Sequence, residues 1–143
     1  MKSALLIFLI CSINLFPQSE RQTKGAENGY AWLAMDDPAL MYSTSKENYL
    51  SSILDRLKIT KAKYPEIESL SCREDINKLS KEGMSNEISI SDVVVEIDKF
   101  YSAEENLVIP IIFAYCYTIK KFAGASTKEL LIYNDEVLLF CYE

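Results

Sequence analysis

The chain has 143 residues, 49% of them hydrophobic, with 15 Lys and Arg against 21 Asp and Glu and a net charge of −6. That length suits one domain able to bury a modest core, and the acidic balance argues against binding nucleic acid or anionic lipid, both of which need cationic neutralisation. The sequence contains no His, which excludes Ser–His and Cys–His dyads, a His general base and a His-ligated metal.

Lys2 precedes an apolar run from Ala4 to Phe16, followed by Pro17-Gln18-Ser19. Charge, short apolar run and small residue together read as a secretory signal peptide over 1–19. The run is shorter than the roughly 20 residues a membrane span needs. A periplasmic or secreted protein is therefore expected, with no membrane contact once the leader is removed. Cys11 is the alternative, as a lipoprotein anchor, although Ile10 is bulkier than the small residue that normally precedes a lipidated Cys. Residues 20–27 are polar and are expected to form a flexible link to a helical domain over 28–143.

Asn28 to Met35 holds the only Trp, Trp32, and predicts a short helix or turn packed on the body. Helical patterning then runs from about Pro38 to Thr60, carried by Tyr49, Leu50, Ile53, Leu54 and Leu57. Arg56, Lys58, Lys61 and Lys63 form a local positive run, read as a solvated helix end. Pro65 closes that unit. Short helices are expected around 66–70 and 73–82, with Gly83 as a stop.

Ser89 with Asp92 three residues later marks a capped helix start, and Val93, Val94, Ile97, Phe100 and Tyr101 give it one apolar face. After the short link 102–105 comes the most apolar stretch outside the leader. It predicts a central buried helix over about 107–123, started by Asn106 and Pro110 and ended by Gly124. Ser126 with Glu129 opens a last segment, either a helix with Leu130, Tyr133, Val137, Phe140 and Cys141 on one face or a hairpin turning at Asn134-Asp135. The good cap and low β-branched content favour helix. The architecture expected is all-α: a compact single-domain bundle of about four to five helices around the central one.

Removing the leader leaves Cys72, Cys116 and Cys141. Cys116 reads as a buried core thiol, so Cys72 and Cys141 are the candidate disulfide. Paired carboxylates at Asp36-Asp37 and Glu104-Glu105 are the only acid–base candidates, and acids are common at helix ends for other reasons. No catalytic, cofactor or metal site is expected. Tyr101, Glu104 and Glu105, at the turn between two helices, form a candidate recognition edge for a protein partner. Ile112, Tyr115, Ile119 and Phe122 would instead line a cavity if the bundle carried a small apolar ligand.

One combination of residues carries a resemblance. Asn28-Gly29 with Trp32 is followed by Tyr49-Leu50. Ser89 then leads into Val93-Val94, Ile97-Asp98, Phe100-Tyr101, Glu105-Asn106, Ile109-Pro110, Ala114 and Gly124-Ala125. This resembles small exported bacterial helical domains of uncharacterised function and is distantly similar to the Rap1a/Tai immunity proteins, best over 89–130. Those proteins are periplasmic and helical, and they bind and inhibit type VI amidase effectors. The resemblance implies a helical fold and a binding role, and it brings no catalytic residues. The function expected is an exported non-enzymatic helical protein that binds an unknown protein partner. An immunity-type inhibitor of a cell-wall hydrolase and a small apolar ligand carrier are the alternatives.

Overall fold

The structure is a computed structural model, and it describes residues 18–37, 45–52, 71–83 and 87–143. Among these, six helices and one two-stranded ribbon make an all-α domain. A 3-10 turn (Gln18–Arg21) leads into strands β1 (Gln22–Thr23) and β2 (Ala26–Glu27), then helix α1 (Gly29–Ala34). A helical stretch over 46–52 (α2) and helix α3 (Arg73–Lys81) follow. The chain then forms α4 (Ile90–Phe100), a 3-10 turn (Glu104–Val108), α5 (Ile111–Phe122) and α6 (Thr127–Tyr142). The expected leader falls mostly outside the described residues. So do the helix expected over 66–70, the positive run 56–63 and the apolar positions Ile53, Leu54 and Leu57.

Helix α5 is the axis. Ile111, Phe113, Ala114, Tyr115, Cys116, Thr118 and Ile119 are all buried, so apolar surface faces almost every direction. Such a helix is stable in water only when other helices cover it. Here α3, α4 and α6 all pack against it, α4 most extensively. Tyr115 and Ile119 lie inside the core cluster, while Ile112 and Phe122 pack on its edge. Gly124, at φ +86°, ends the helix: its N–H donates to Lys121 O at 3.1 Å and the Ala125 N–H to Lys120 O at 3.0 Å. These two bonds make a Schellman motif, which needs a left-handed residue where glycine alone has no Cβ penalty. Lys78 from α3 donates its ammonium to Ala123 O at 2.6 Å, placing positive charge at the negative end of α5.

The start of α5 differs from expectation. The helix begins at Ile111 behind Pro110, and Asn106 belongs to the separate 3-10 turn before it. The buried Asn106 amide donates to Phe100 O at 2.8 Å, so it closes the end of α4 rather than opening α5. Both sequence-expected capping boxes are present: Ser89 with Asp92 and Ser126 with Glu129 exchange hydrogen bonds in each direction. The segment after Ser126 is one helix through Tyr142, not a hairpin.

Residues 20–27, expected as a flexible link, form the end of the 3-10 turn and the two-stranded ribbon. Gln22 pairs with Glu27 and Thr23 with Ala26, around a turn in which Lys24 (φ 50°) and Gly25 (φ 80°) are both left-handed. Positive φ at both central residues matches the twist of a tight hairpin. The ribbon is fastened to the body, since Thr23 Oγ1 donates to Val108 O at 2.6 Å. Asn28, 2% exposed, joins three pieces. Its Oδ1 accepts from the Tyr30 N–H at 3.1 Å and so caps α1. Its Nδ2 donates to Glu20 O at 2.9 Å, and its backbone forms a bridge with Pro110. Gly29 then lies so close to the loop that an added Cβ would sit 2.6 Å from the Tyr101 ring and 2.8 Å from Leu107 Cα.

The disulfide also differs from expectation. Cys72 pairs with Cys116, across 44 residues of sequence, and Cys141 is free. Cys72 stands at the start of α3, which packs on α5, so it faces the middle of that helix. Cys141 is on the last turn of α6, away from that contact.

Candidate interaction surface

Helix α6 is apolar on two sides. Its inner side puts Leu130, Tyr133 and Val137 into the core. Tyr133 Oη donates to Phe113 O at 3.3 Å, and the Phe140 ring meets Phe113 edge-on with centroids 5.6 Å apart. Asn134 Nδ2 donates to Asn106 Oδ1 at 3.2 Å, which ties α6 to the 104–108 turn. A surface helix needs apolar residues on that inner stripe alone. Yet Leu131 (59% exposed), Leu139 (62%) and Tyr142 (73%) stand in solvent on the opposite side, with Ile132 (47%) beside them. At 100° per residue, positions 131, 138, 139 and 142 fall within a sector of about 100°, and Leu138 fills its half-buried edge. Scattered single leucines are normal on a surface, but apolar side chains gathered on one outer side of a helix, at 131 and 132 and again at 138, 139 and 142, are not.

Among the described residues, charge around this row has one dominant sign. Asp135 lies within it, Glu136 and Glu143 border it, and Glu104 and Glu105 are exposed on the turn that Asn106 holds against α6. Lys128 is the exposed cation of α6 itself, and Lys24 reaches the far flank, 4.7 Å from the centre of the Phe140 ring. The Cys141 thiol, half-buried at the end of the helix, is pushed up to about 11 by that burial.

The recognition edge expected at Tyr101, Glu104 and Glu105 is only partly an edge. Tyr101 is 2% exposed and its hydroxyl donates to Ile109 O at 2.8 Å. Burial drives its phenol well above the ordinary range, so it stays neutral. Tyr101 is a strut of the loop, whereas Glu104 and Glu105 remain on the surface. Leu131, Ile132, Leu139 and Tyr142 were not anticipated from sequence. Their signal was present: once Leu130, Tyr133 and Val137 take the inner face, Leu131, Leu138, Leu139 and Tyr142 are left at i, i+7, i+8 and i+11, with Ile132 at i+1.

A second polar cluster lies where α1, α2 and α4 meet. The Lys46 ammonium, 7% exposed, bonds Asp98 Oδ1 at 2.7 Å and also Asp36. It sits 5.0 Å from the centre of the Trp32 ring, whose Nε1 donates to the same Asp98 oxygen at 2.7 Å. The Tyr49 hydroxyl donates to Glu27. This arrangement surrounds the lysine with two carboxylates and one aromatic face, so the buried ammonium has partners on each side. It joins three segments and places Asp36 in an ion pair with Lys46. Among the described residues no group of three or more His, Cys, Asp or Glu could hold a metal ion, and no helix is long and apolar enough to cross a membrane.

Comparison with known proteins found no matching family model, no matching curated protein and no matching solved structure.

Proposed function

We propose that this chain is an exported, non-catalytic binding module that meets a protein partner through the outer face of α6. The observation that carries the reading is the row Leu131, Ile132, Leu139 and Tyr142, apolar side chains held in water on a rigid helix. Leaving such a row exposed gains nothing for the fold, and covering it by a partner recovers its hydrophobic free energy. The Cys72–Cys116 disulfide supports the export part, because such bonds persist in oxidising compartments.

The test is a double substitution at exposed positions, Leu131→Ser with Leu139→Ser. The purified protein is expected to retain one stoichiometric partner from envelope extract, and the variant to lose it with an unchanged near-ultraviolet circular dichroism spectrum. Retention of the same partner by the variant would count against the surface. Recovery of the protein with residues 1–19 still attached would count against export.

A narrower version is a periplasmic immunity-type inhibitor of a cell-wall hydrolase. The exposed apolar α6 face with its bordering acids supports it only as a surface for a protein partner. If a cell-wall hydrolase is encoded beside this protein, cells producing it should survive with this chain and lyse with the double variant; lysis in both cases, or the absence of such a neighbour, would end that version.

A further inference from the structure

The binding reading leaves the occupant of the α6 face undefined, and the charges around that face narrow it. We infer that the face is built for a basic amphipathic helix: an apolar stripe laid along Leu131, Leu138, Leu139 and Tyr142, with Lys or Arg on its flanks meeting the surrounding acids. This inference rests on the reading of α6 as the contact surface.

Length and periodicity come first. The row covers 131 to 142, about 16 Å of helix at 1.5 Å per residue. A straight, narrow apolar strip of that length matches the stripe of a second helix of three to four turns, the geometry by which helices dock on helices. The row is crossed by Asp135, which would sit unpaired beneath a purely apolar partner. A flanking Lys or Arg of the occupant satisfies it.

Charge decides between the possible occupants. Among the described residues, the exposed acids Asp135, Glu136 and Glu143 lie on or beside the strip and Glu104 and Glu105 on the turn tied to α6 through Asn134, against Lys128 on the helix and Lys24 at one flank. A second copy of this chain would bring the same five acids together across a twofold axis, within an overall charge of −6 for each copy. An anionic membrane surface is repelled in the same way. A cationic helix gains from every one of these carboxylates and is drawn to the face before contact. Like-charged competitors are rejected by the same groups, so the rim supplies specificity and the leucines supply contact area.

The probes are two fluorescent 18-residue helical peptides with the same leucine stripe, one flanked by Lys and one by Glu, titrated into the purified protein at low salt. The Lys peptide is expected to bind at least ten-fold more tightly than the Glu peptide. Leu131→Ser with Leu139→Ser should weaken it ten-fold or more. A rim variant, Glu104→Gln with Glu105→Gln, Asp135→Asn and Glu136→Gln, should erase the preference between the peptides. Ile132→Lys, on the same face, serves if the double leucine variant does not fold.

Equal binding of both peptides would overturn the basic-helix inference and leave the α6 contact surface standing. Unchanged binding by both the leucine variant and Ile132→Lys would overturn the surface itself. Two other results would replace the occupant. One is dimerisation of the protein alone, lost in the leucine variant, which names a second copy. The other is binding to phosphatidylcholine vesicles with the same loss, which names a membrane.

Discussion

Reducing the Cys72–Cys116 bond should destabilise the domain by a large fraction of its total stability. The bridge closes a loop with a sequence separation of 44 residues. In the chain-entropy treatment, a loop of that size removes about 13 cal/mol/K from the unfolded ensemble, or about 4 kcal/mol at 25 °C. Domains of this size have about 5–15 kcal/mol in all. With a urea slope of about 1.5 kcal/mol/M, the midpoint should fall by about 2–3 M on reduction. The slope should also rise, because the uncrosslinked chain exposes more surface. Cys72→Ala with Cys116→Ala should reproduce the shift without reductant, and Cys141→Ala should leave the oxidised protein unchanged. A midpoint that moves by less than about 0.5 M on reduction would refute the argument. So would non-reducing peptide mapping that places Cys141 in a bridge.

Gly29→Ala tests the close approach of α1 to the loop. Alanine would ordinarily favour a helix by up to about 1 kcal/mol, but here its Cβ meets the Tyr101 ring and the Leu107 backbone. A net loss of about 1–3 kcal/mol in urea unfolding is expected, and a gain would show that the loop gives way. Acid sensitivity follows from three carboxyls held below their usual values. Ser89 does this for Asp92, Ser126 for Glu129, and Lys121 followed by Lys99 for Glu96. A carboxyl depressed in the folded state stabilises above its unfolded value and loses that contribution as pH falls through the folded one. Thermal stability should therefore hold above pH 4.5 and decline progressively below it, starting from the unfolded values of 4.5 for Glu and 3.8 for Asp. Glu129→Gln should lower stability at neutral pH and flatten that decline; an unchanged acid limb would contradict the assignment. Cys141, pushed from 9.0 to about 11, should react with iodoacetamide at pH 8 about 10-fold more slowly than an ordinary thiol, read by mass spectrometry of the alkylated peptide.

What the sequence revealed and what it hid follow the distance over which each feature is written. The capping boxes at Ser89 and Ser126 and the stop at Gly124 each involve residues within one helical turn, and all three are legible. The burial of α5 is legible too, since seven of its twelve residues are core and no solvated arrangement suits them. The hairpin at 22–27 is hidden because its strands are two residues each and carry no apolar alternation. Its one local sign is Lys24-Gly25, a pair that accepts positive φ. Asn106 misleads because a capping residue looks the same whether it closes the helix behind or opens the helix ahead; the Phe100 carbonyl decides. The disulfide depends on α3 packing on α5, a long-range contact with no local trace. The α6 face is concealed by abundance: ten of its sixteen residues are apolar, so the first stripe found accounts for the fold and the second passes unnoticed.

Hydroxyl-radical footprinting of the purified protein, alone and with the Lys-flanked helical peptide, tests the α6 surface most directly. In the free protein Leu131, Ile132, Leu139 and Tyr142 should label heavily and Leu130 and Val137 scarcely at all. With the peptide bound, the first four should become protected while the inner two stay unlabelled. Labelling of those four that is already weak in the free protein, or that does not change on saturation with the peptide, would contradict the account.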